Sequence, residues 1–214
     1  QPHFTDINFT IDLDPGTRSL KSVAEVTVRN KGNAPIDSLH LLLGEGIGQE
    51  IELPNAALVV NDDRVNYRIY KLAQPLAPGA DLHFKVIATH EQKGFENRVS
   101  VMQLNANGTF FNNMDVLPRI GYSPDFELQD KSDRKDHDLP PKERMPRLSE
   151  DPSQRMQTYL VGNSDWVNVR TVISTSEDQV AIAPGSLKRD WKENGRHYFE
   201  YVVDHKSMNF YSFM

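Results

Sequence analysis

Two amides and a carboxylate, Asn112, Asn113 and Asp115, follow an apolar segment and are the residues best placed to hold a polar ligand. Residues 109–111 before them have the aromatic and β-branched content of a strand. Pro118 lacks a backbone N–H, so a regular strand must end before it. The segment therefore predicts a strand that delivers three polar side chains to its end, where they meet a ligand. The same residues allow a hairpin whose amides only cap loop backbone.

The sequence lacks the residue patterns that other catalytic chemistries require. There is no cysteine, which excludes a thiolate nucleophile and a cysteine-bound zinc site. The one His-Glu pair, His90 and Glu91, would need a second histidine at position 94 to bind zinc on a helix, and that residue is Gly94. There is also no Gly-x-Ser-x-Gly elbow. By residue chemistry alone, the chain has no visible catalytic centre.

The composition of the 214 residues narrows the class of protein further. Charged residues make up 25% and hydrophobic residues 38%, which is ordinary for a globular chain with a full core. The net charge of −6 argues against a nucleic-acid-binding surface, which would be basic. No apolar run reaches the roughly 18 residues of a membrane span, so any membrane attachment would come from other parts of a longer protein.

The elements that must position the polar side chains are strands. Residues 5–13 alternate strictly, with Ile7, Phe9, Ile11 and Leu13 on one face, which is the pattern of a half-buried strand. Turn residues separate further segments of this kind and favour a large twisted antiparallel sheet or sandwich. The other predicted strands cover residues 20–30, 36–43, 49–53, 57–60, 67–72, 81–90, 166–174, 180–183, 187–191, 197–203 and 209–213.

A charged, proline-rich segment interrupts this pattern. More than half of residues 125–151 are charged, and several prolines break any regular structure there. Residues 127–137 are predicted to form one solvated helix with opposite charges near i,i+4 spacing. Because strands resume afterwards, we interpret residues 1–214 as a single β domain and residues 125–157 as an excursion within it. A linker between two domains is the alternative.

The order of these pieces resembles a known family. Residues 108–124 (GTFFNNMDVLPRIGYSP) and 166–211 are similar to the N-terminal domain of the aminopeptidase N-like zinc metallopeptidases. The similarity is greatest to the branch whose peptidase region is joined to an ABC-type transporter permease. The resemblance implies a saddle-shaped, mainly β domain that precedes a thermolysin-like catalytic domain. It also implies a membrane-associated parent protein that carries this domain outside the cytoplasm.

The resemblance assigns roles to particular residues. The family supplies a glutamine from this region to hold the amino end of a peptide substrate, and here Asn112 and Asn113 occupy that neighbourhood, with Asp115 adding negative charge. The zinc-binding H-E-x-x-H motif is absent. So is the Gly-x-Met-Glu-Asn substrate motif, since residues 94–97 (GFEN) are one residue short of it. The implied partners are a downstream catalytic domain, which would hold the zinc, and its peptide substrate. This chain itself would be non-catalytic and would hold no cofactor.

A second hypothesis is a free-standing β-sandwich that binds carbohydrate or a protein partner. It would use exposed aromatic side chains such as Tyr122, Trp166 or Trp191, because flat rings stack on sugars and fill pockets on a partner. Against it, the chain begins within a pattern at Gln1 and ends in an apolar stretch at Met214, so we expect a piece of a longer protein. A hydrolase using dispersed carboxylates is a third possibility, and no residue pattern favours it.

Overall fold

The computed structural model describes residues 1–94, 103–121, 127–142, 149 and 165–214. These residues belong to two compact units, one formed by Gln1–Gly121 with Asp165–Met214 and the other lying within Tyr122–Ser164. The predicted charged excursion, residues 125–157, falls in the second unit. Its interpretation as part of a single domain stays a prediction.

Strands account for most of the first unit, and the predicted mainly-β fold class is confirmed, with 57% strand and 6% helix among the described residues. In chain order the strands are β1 (His3–Asp14), β2 (Ser19–Arg29), β3 (Ile36–Leu42), β4 (Gly48–Glu52), β5 (Ala56–Asp62), β6 (Tyr67–Leu76), β7 (Asp81–Glu91), β8 (Gln103–Asn105), β9 (Gly108–Asn112), β10 (Arg119–Ile120), β11 (Trp166–Ser176), β12 (Ser186–Glu193), β13 (Arg196–Val202), β14 (Ser207–Met208) and β15 (Ser212–Phe213). The two short helices are α1 (Asn113–Val116) and α2 (Lys131–Asp136).

One large sheet forms the base of the first unit. Its strand order is β12-β13-β11-β1-β2-β7-β4, and β14 pairs with β11. All neighbours are antiparallel except β1 and β11, which are parallel. Parallel neighbours need a long connection, and here more than 150 residues of chain separate the two strands. The sheet is therefore mixed, with one parallel pair in the otherwise antiparallel arrangement that the sequence pattern predicts.

Two smaller sheets complete the first unit. One has the order β10-β3-β6-β5, and the other has the order β15-β9-β8. Burial alternates along β1 as predicted, with every second residue from Ile7 to Leu13 buried and the residues between them facing outward. Leu39 and Leu41 of β3 are buried in the same core. The candidate site residues lie at the end of β9, in the smallest sheet.

An aromatic cluster joins the smallest sheet to the large one. The Phe111 ring of β9 stacks on Phe213 of β15 with ring centroids 4.9 Å apart. Phe9 of β1 meets Phe213 edge-on at 5.4 Å, and Tyr211 packs edge-on against both Phe9 and Phe213. The three phenylalanines are completely buried. Their contacts place the end of β9 over the centre of the large sheet.

A buried carboxylate fixes the start of β1 beside the start of β11. Asp165 accepts a hydrogen bond from the backbone N–H of Phe4 at 2.8 Å. Its other oxygen lies 2.9 Å from His3 Nδ1 and 3.4 Å from the ammonium group of Lys31. A buried carboxylate of this kind requires such partners, because an uncompensated buried charge is costly. Asp165 therefore anchors the chain where it re-enters the first unit.

Several sequence-based boundaries differ from the structure. The shift of apolar phase near Val23 suggests a bulge or two-sided cover, but β2 is regular there because Ser22 continues the inward-facing series. Residues 180–183 are not a strand, although Ile182 and Met214 exchange two backbone hydrogen bonds of 2.7 and 3.0 Å. The last predicted strand, residues 209–213, shortens to β15 because its first residues form a turn after β14.

The predicted helix over residues 127–137 shortens to α2, which lies in the second unit. The Asp130 carboxylate accepts hydrogen bonds from the backbone N–H groups of Ser132 and Asp133, and thus caps α2 one turn later than predicted. The Arg134 side chain donates to the backbone carbonyls of Leu128 and Pro140, which ties the residues on both sides to the helix. Among the described residues, no helix has the length and hydropathy needed to cross a membrane.

Phe213→Ala should be severely destabilising. The substitution removes the ring that contacts both Phe111 and Phe9 and leaves a cavity in the core. We expect a loss of about 3–5 kcal/mol in the free energy of unfolding, measured by urea denaturation. Phe210→Ala is the control, because that side chain is 43% exposed, and it should change stability by only about 0.5 kcal/mol. Equal effects of the two substitutions would contradict the role of the aromatic cluster.

Candidate functional site

Asn112 and Asp115 stand at the junction between β9 and α1. Asn112 is the last residue of β9 and precedes the first residue of the helix. Its backbone N–H donates to the Asp115 carboxylate at 2.7 Å, a hydrogen bond typical of helix N-termini. Its side-chain oxygen accepts a hydrogen bond from the Ser212 hydroxyl, also at 2.7 Å. The two residues therefore cap local backbone and remain half-exposed, with capacity to accept further hydrogen bonds.

Asn113 lies inside the molecule. Its side chain is completely buried, and its amide nitrogen donates to the side-chain oxygen of Asn209 at 2.9 Å. Its amide oxygen accepts the backbone N–H of Tyr211 at 3.1 Å, and its own backbone N–H donates to the Tyr211 carbonyl at 3.0 Å. These contacts hold the C-terminal segment against α1. In this structure Asn113 fixes the position of its neighbours.

Asp115 is a half-buried carboxylate. Burial raises the pKa of Asp115 above its usual value, and the hydrogen bond from the Asn112 N–H opposes part of that rise. Among the described residues, the backbone N–H of Asn112 is the donor of the hydrogen bond to the Asp115 carboxylate. A carboxylate in this setting favours a cationic partner, because a positive charge nearby would stabilise its ionised form.

The loop after β3 and the start of β4 also contact α1. The side chain of Gln49 donates to the Asp115 carbonyl at 3.4 Å and accepts the backbone N–H of Gly44 at 3.0 Å. A Cβ atom on Gly44 would lie only 3.2 Å from the Asp115 carbonyl oxygen. Gly44 therefore permits this close approach, a more specific role than the flexible turn that the glycine-rich sequence around it suggests.

Two residues at this site were missed by sequence reasoning. Gln49 contacts Asp115 from 66 positions away, and Tyr211 meets Asn113 across 98 positions. Burial raises the pKa of the Tyr211 phenol well above its usual range. Local spacing carries no signal for either contact, since both depend on how the sheets stack.

Trp166 and Trp191, the described aromatic residues of the second hypothesis, are too far apart to form one binding surface. Trp166 is half-exposed at the start of β11. Trp191 stacks on Tyr198 with centroids 5.2 Å apart, and the guanidinium of Arg189 lies 4.4 Å from the Trp191 ring centroid. Tyr198 is aligned with Ser174 on β11, eight residues from Trp166, which is roughly 26 Å along the strand. Tyr122 lies outside the described residues.

The described residues contain no group of three or more histidine, aspartate or glutamate side chains that could hold a metal ion. The two histidine–carboxylate contacts are His3 with Asp165 and His197 with Asp190, each at 2.9 Å. Each pair joins neighbouring elements of the fold.

Four apolar side chains form an exposed surface beside the junction, which we call the apolar row: Phe110, Val180, Ile182 and Met214. Phe111 is paired with Phe213 on antiparallel strands, so Phe110, which precedes Phe111, and Met214, which follows Phe213, are neighbours on the opposite, outward face of the smallest sheet. Ile182 exchanges backbone hydrogen bonds with Met214. Val180 is exposed like Ile182, because burial alternates over residues 180–183 and Ala181 and Ala183 are the buried members. The four residues are 40–69% exposed. Contiguous exposed apolar surface commonly marks an interaction site.

No protein-family model matches the chain, and no curated protein matches it in sequence. Solved structures do match. The M1 zinc metallopeptidase from Deinococcus radiodurans superposes with a TM-score of 0.60 at 12% identity, over 99% of this chain and 42% of that one. A mutant of that protein bound to a Tyr-Ser-Ala substrate gives the same TM-score at 13% identity. Aminopeptidase A from Legionella pneumophila gives a TM-score of 0.53 at 12% identity, over 99% of this chain and 21% of that one.

These likenesses establish the fold of the chain. The chain spans less than half the length of the metallopeptidases that it matches. The structural neighbours agree with the fold that the resemblance of residues 108–124 and 166–211 implies. The chain therefore has the fold of one part of the M1 zinc metallopeptidases.

Asp115→Asn should change the pH dependence of stability. Because the pKa of Asp115 is raised in the folded state, the folded protein holds this proton more tightly than the unfolded chain does. As pH rises from acid through the raised pKa, the wild type should lose unfolding free energy relative to the variant, and the difference should then stay constant. Urea denaturation of both proteins between about pH 3 and 7 measures it.

Asp14→Asn provides a control of opposite sign. The backbone N–H of Thr17 donates to Asp14 at 3.2 Å and, with the N–H of Gly16, lowers the pKa of that carboxyl. The wild type should therefore gain unfolding free energy relative to this variant as pH rises through the acid range. The same sign for both substitutions would show that Asp115 does not occupy the described environment.

Proposed function

We propose that this chain is a non-catalytic N-terminal domain of a larger zinc-metallopeptidase-like protein, that it packs on a downstream catalytic domain and that it walls one side of the substrate cleft. The observation that carries the proposal is the match of 99% of this chain to 42% of an M1 metallopeptidase chain. The absence of H-E-x-x-H from the sequence agrees with a supporting role for this part. Catalysis, and the zinc that it needs, belong to the rest of the protein.

The apolar row supports the packing step of the proposal. A face with these four side chains gains free energy when another domain covers it, at about 25 cal/mol for each Å² of apolar surface removed from water. Two members of the row, Phe110 and Met214, flank Phe111 and Phe213, whose stacked rings are buried in the core.

The β9–α1 junction supports the substrate-facing step. Asn112 and Asp115 are half-exposed there, and a peptide's ammonium group can donate to the asparagine oxygen and to the carboxylate. The ammonium would also compensate the partly buried charge of Asp115. Asn113 is buried, so its part in this proposal is to hold the junction in place. The Tyr-Ser-Ala complex is known for a structural neighbour, and a peptide ligand for this chain is our inference from it.

The cellular setting is also part of the proposal. The similarity of residues 108–124 and 166–211 to the branch joined to an ABC-type permease supports a membrane-associated parent protein. In that arrangement this domain lies outside the cytoplasm, and the membrane contact is made by other parts of the parent. The sequence resemblance is the support for this step.

Asn112→Ala should weaken peptide binding by the parent protein while the fold is kept. Loss of one hydrogen bond to the ammonium group costs about 1–3 kcal/mol, measured by titration calorimetry with a short peptide. Asn113→Ala should instead lower the unfolding free energy by a similar amount, because the backbone N–H of Tyr211 and the side chain of Asn209 lose their partner. Unchanged peptide affinity of the Asn112→Ala variant would refute the substrate-facing role.

Ile182→Asp should weaken docking of the downstream domain. A charge at the centre of the apolar row would be buried without a partner on docking, and we expect the dissociation constant to rise at least about tenfold. The measurement is calorimetric titration of the 214-residue chain with the separately produced polypeptide that follows it in the parent. Leu187→Asp is the matched control, because Leu187 has nearly the same exposure and lies on β12. Equal effects would exclude the apolar row as the docking surface.

A further inference from the structure

Residues 179–183, which carry two of the four members of the apolar row, are held in place partly by side chains. They follow β11 and do not form a strand. The Tyr201 hydroxyl donates to the Ala181 carbonyl at 3.1 Å, and His197 Nδ1 lies 3.1 Å from the Gln179 carbonyl oxygen. Two side chains of β13 therefore hold alternate carbonyls of this segment.

His197 faces a hydrogen-bond acceptor at each of its two ring nitrogens. Nδ1 faces the Gln179 carbonyl, which can only accept, and Nε2 lies 2.9 Å from a carboxylate oxygen of Asp190. A neutral imidazole has one N–H and one bare nitrogen, so it can bond only one of these acceptors, whereas an imidazolium donates to both. The arrangement therefore matches a protonated His197 beside an ionised Asp190.

The other groups around the His197 ring do not replace either acceptor. The Phe199 ring packs against it with ring centroids 4.1 Å apart. Lys192 of β12 is aligned with His197 across the strand pair, and its ammonium group lies 3.9 Å from the Glu177 carboxylate, which offsets part of its charge. Among the described residues, Asp190 is the charged group in hydrogen-bond contact with the ring.

We infer that His197 is a pH-sensitive switch for the apolar row, an inference that rests on the proposed function of the row as a docking surface. Histidine exchanges its proton with solvent between about pH 5 and 8. When the imidazolium loses a proton, the remaining N–H stays with Asp190, because a hydrogen bond to a carboxylate is roughly twice as strong as one to a neutral carbonyl. The Gln179 carbonyl then loses this donor.

The peptide unit between Gln179 and Val180 is the part of the row that gains freedom. Residues 181–183 keep their hydrogen bonds to Tyr201 and Met214, so the segment is not released as a whole. Val180 is the most exposed member of the row, at 69%. A partner that packs on the row must order this residue again, which costs conformational entropy. Docking is therefore weaker at neutral pH than in mild acid.

Nitrogen NMR of the 214-residue chain tests the switch without a partner, because the chemical shifts of the two ring nitrogens of a histidine report which of them carries hydrogen. We expect both nitrogens of His197 to be protonated at about pH 5 and only Nε2 to keep its hydrogen at about pH 8. Methyl relaxation should then show greater motion of Val180. Retention of hydrogen on Nδ1 at the upper pH would overturn the inference.

Asp190→Asn should remove the pH dependence and keep the row fixed. The amide group of the new side chain can donate to a bare Nε2, so a neutral His197 can keep its hydrogen on Nδ1 and stay bonded to Gln179 at every pH. The Asp190 side chain is 52% exposed, so the variant should fold like the wild type. The same rise in Val180 motion in this variant as in the wild type would contradict the switch.

Calorimetric titration with the polypeptide that follows the chain in the parent connects the switch to docking. The dissociation constant of the wild type should rise about fivefold or more between about pH 5.5 and 7.5, a change that Asp190→Asn abolishes. His83→Gln is the control, because it alters an exposed histidine of β7, and it should behave like the wild type. Equal pH dependence in all three proteins overturns the switch. Absence of docking at every pH would refute the proposed docking surface instead, and the nitrogen shifts would then decide on the switch alone.

Discussion

Contact among Phe9, Phe111 and Phe213 is the interaction on which the rest of the first unit depends. The sheet β15-β9-β8 has strands of two, five and three residues, too few to be stable alone in water. Its position over the large sheet comes from burial of these rings. Strand β9 leads into the β9–α1 junction. Phe110 of β9 and Met214, which follows β15, lie on the outer face of this sheet. A fault in the aromatic cluster would therefore displace the β9–α1 junction and this part of the apolar row.

Much of this fold can be predicted from the sequence, because apolar and polar residues alternate along the strands. The alternation from Ile7 to Leu13 identifies β1 and its buried face, and the Asn194-Gly195 turn identifies the β12–β13 hairpin. Helix α1 could not be predicted in this way, because a helix of four residues is too short to show helical periodicity. The parallel pairing of β1 with β11 could not be predicted for another reason. Local alternation says that a strand is half-buried, and it does not say which distant strand lies beside it.

The candidate site shows the same division. The sequence places Asn112, Asn113 and Asp115 together at the end of a strand, and the structure keeps them together. Which of them faces solvent was not predictable, because Asn113 is buried by contacts with Asn209 and Tyr211, nearly a hundred residues away. Capping and ligand binding are compatible at this junction. A carboxylate that accepts one backbone N–H keeps other lone pairs, and the capping bond holds it in a defined orientation.

The way in which the apolar row presents its side chains decides what kind of partner it fits. The apolar row lies on the face of a sheet, so its side chains point at a partner while the backbone beneath them is already bonded. Any apolar surface of matching shape can cover it, which suits a large domain.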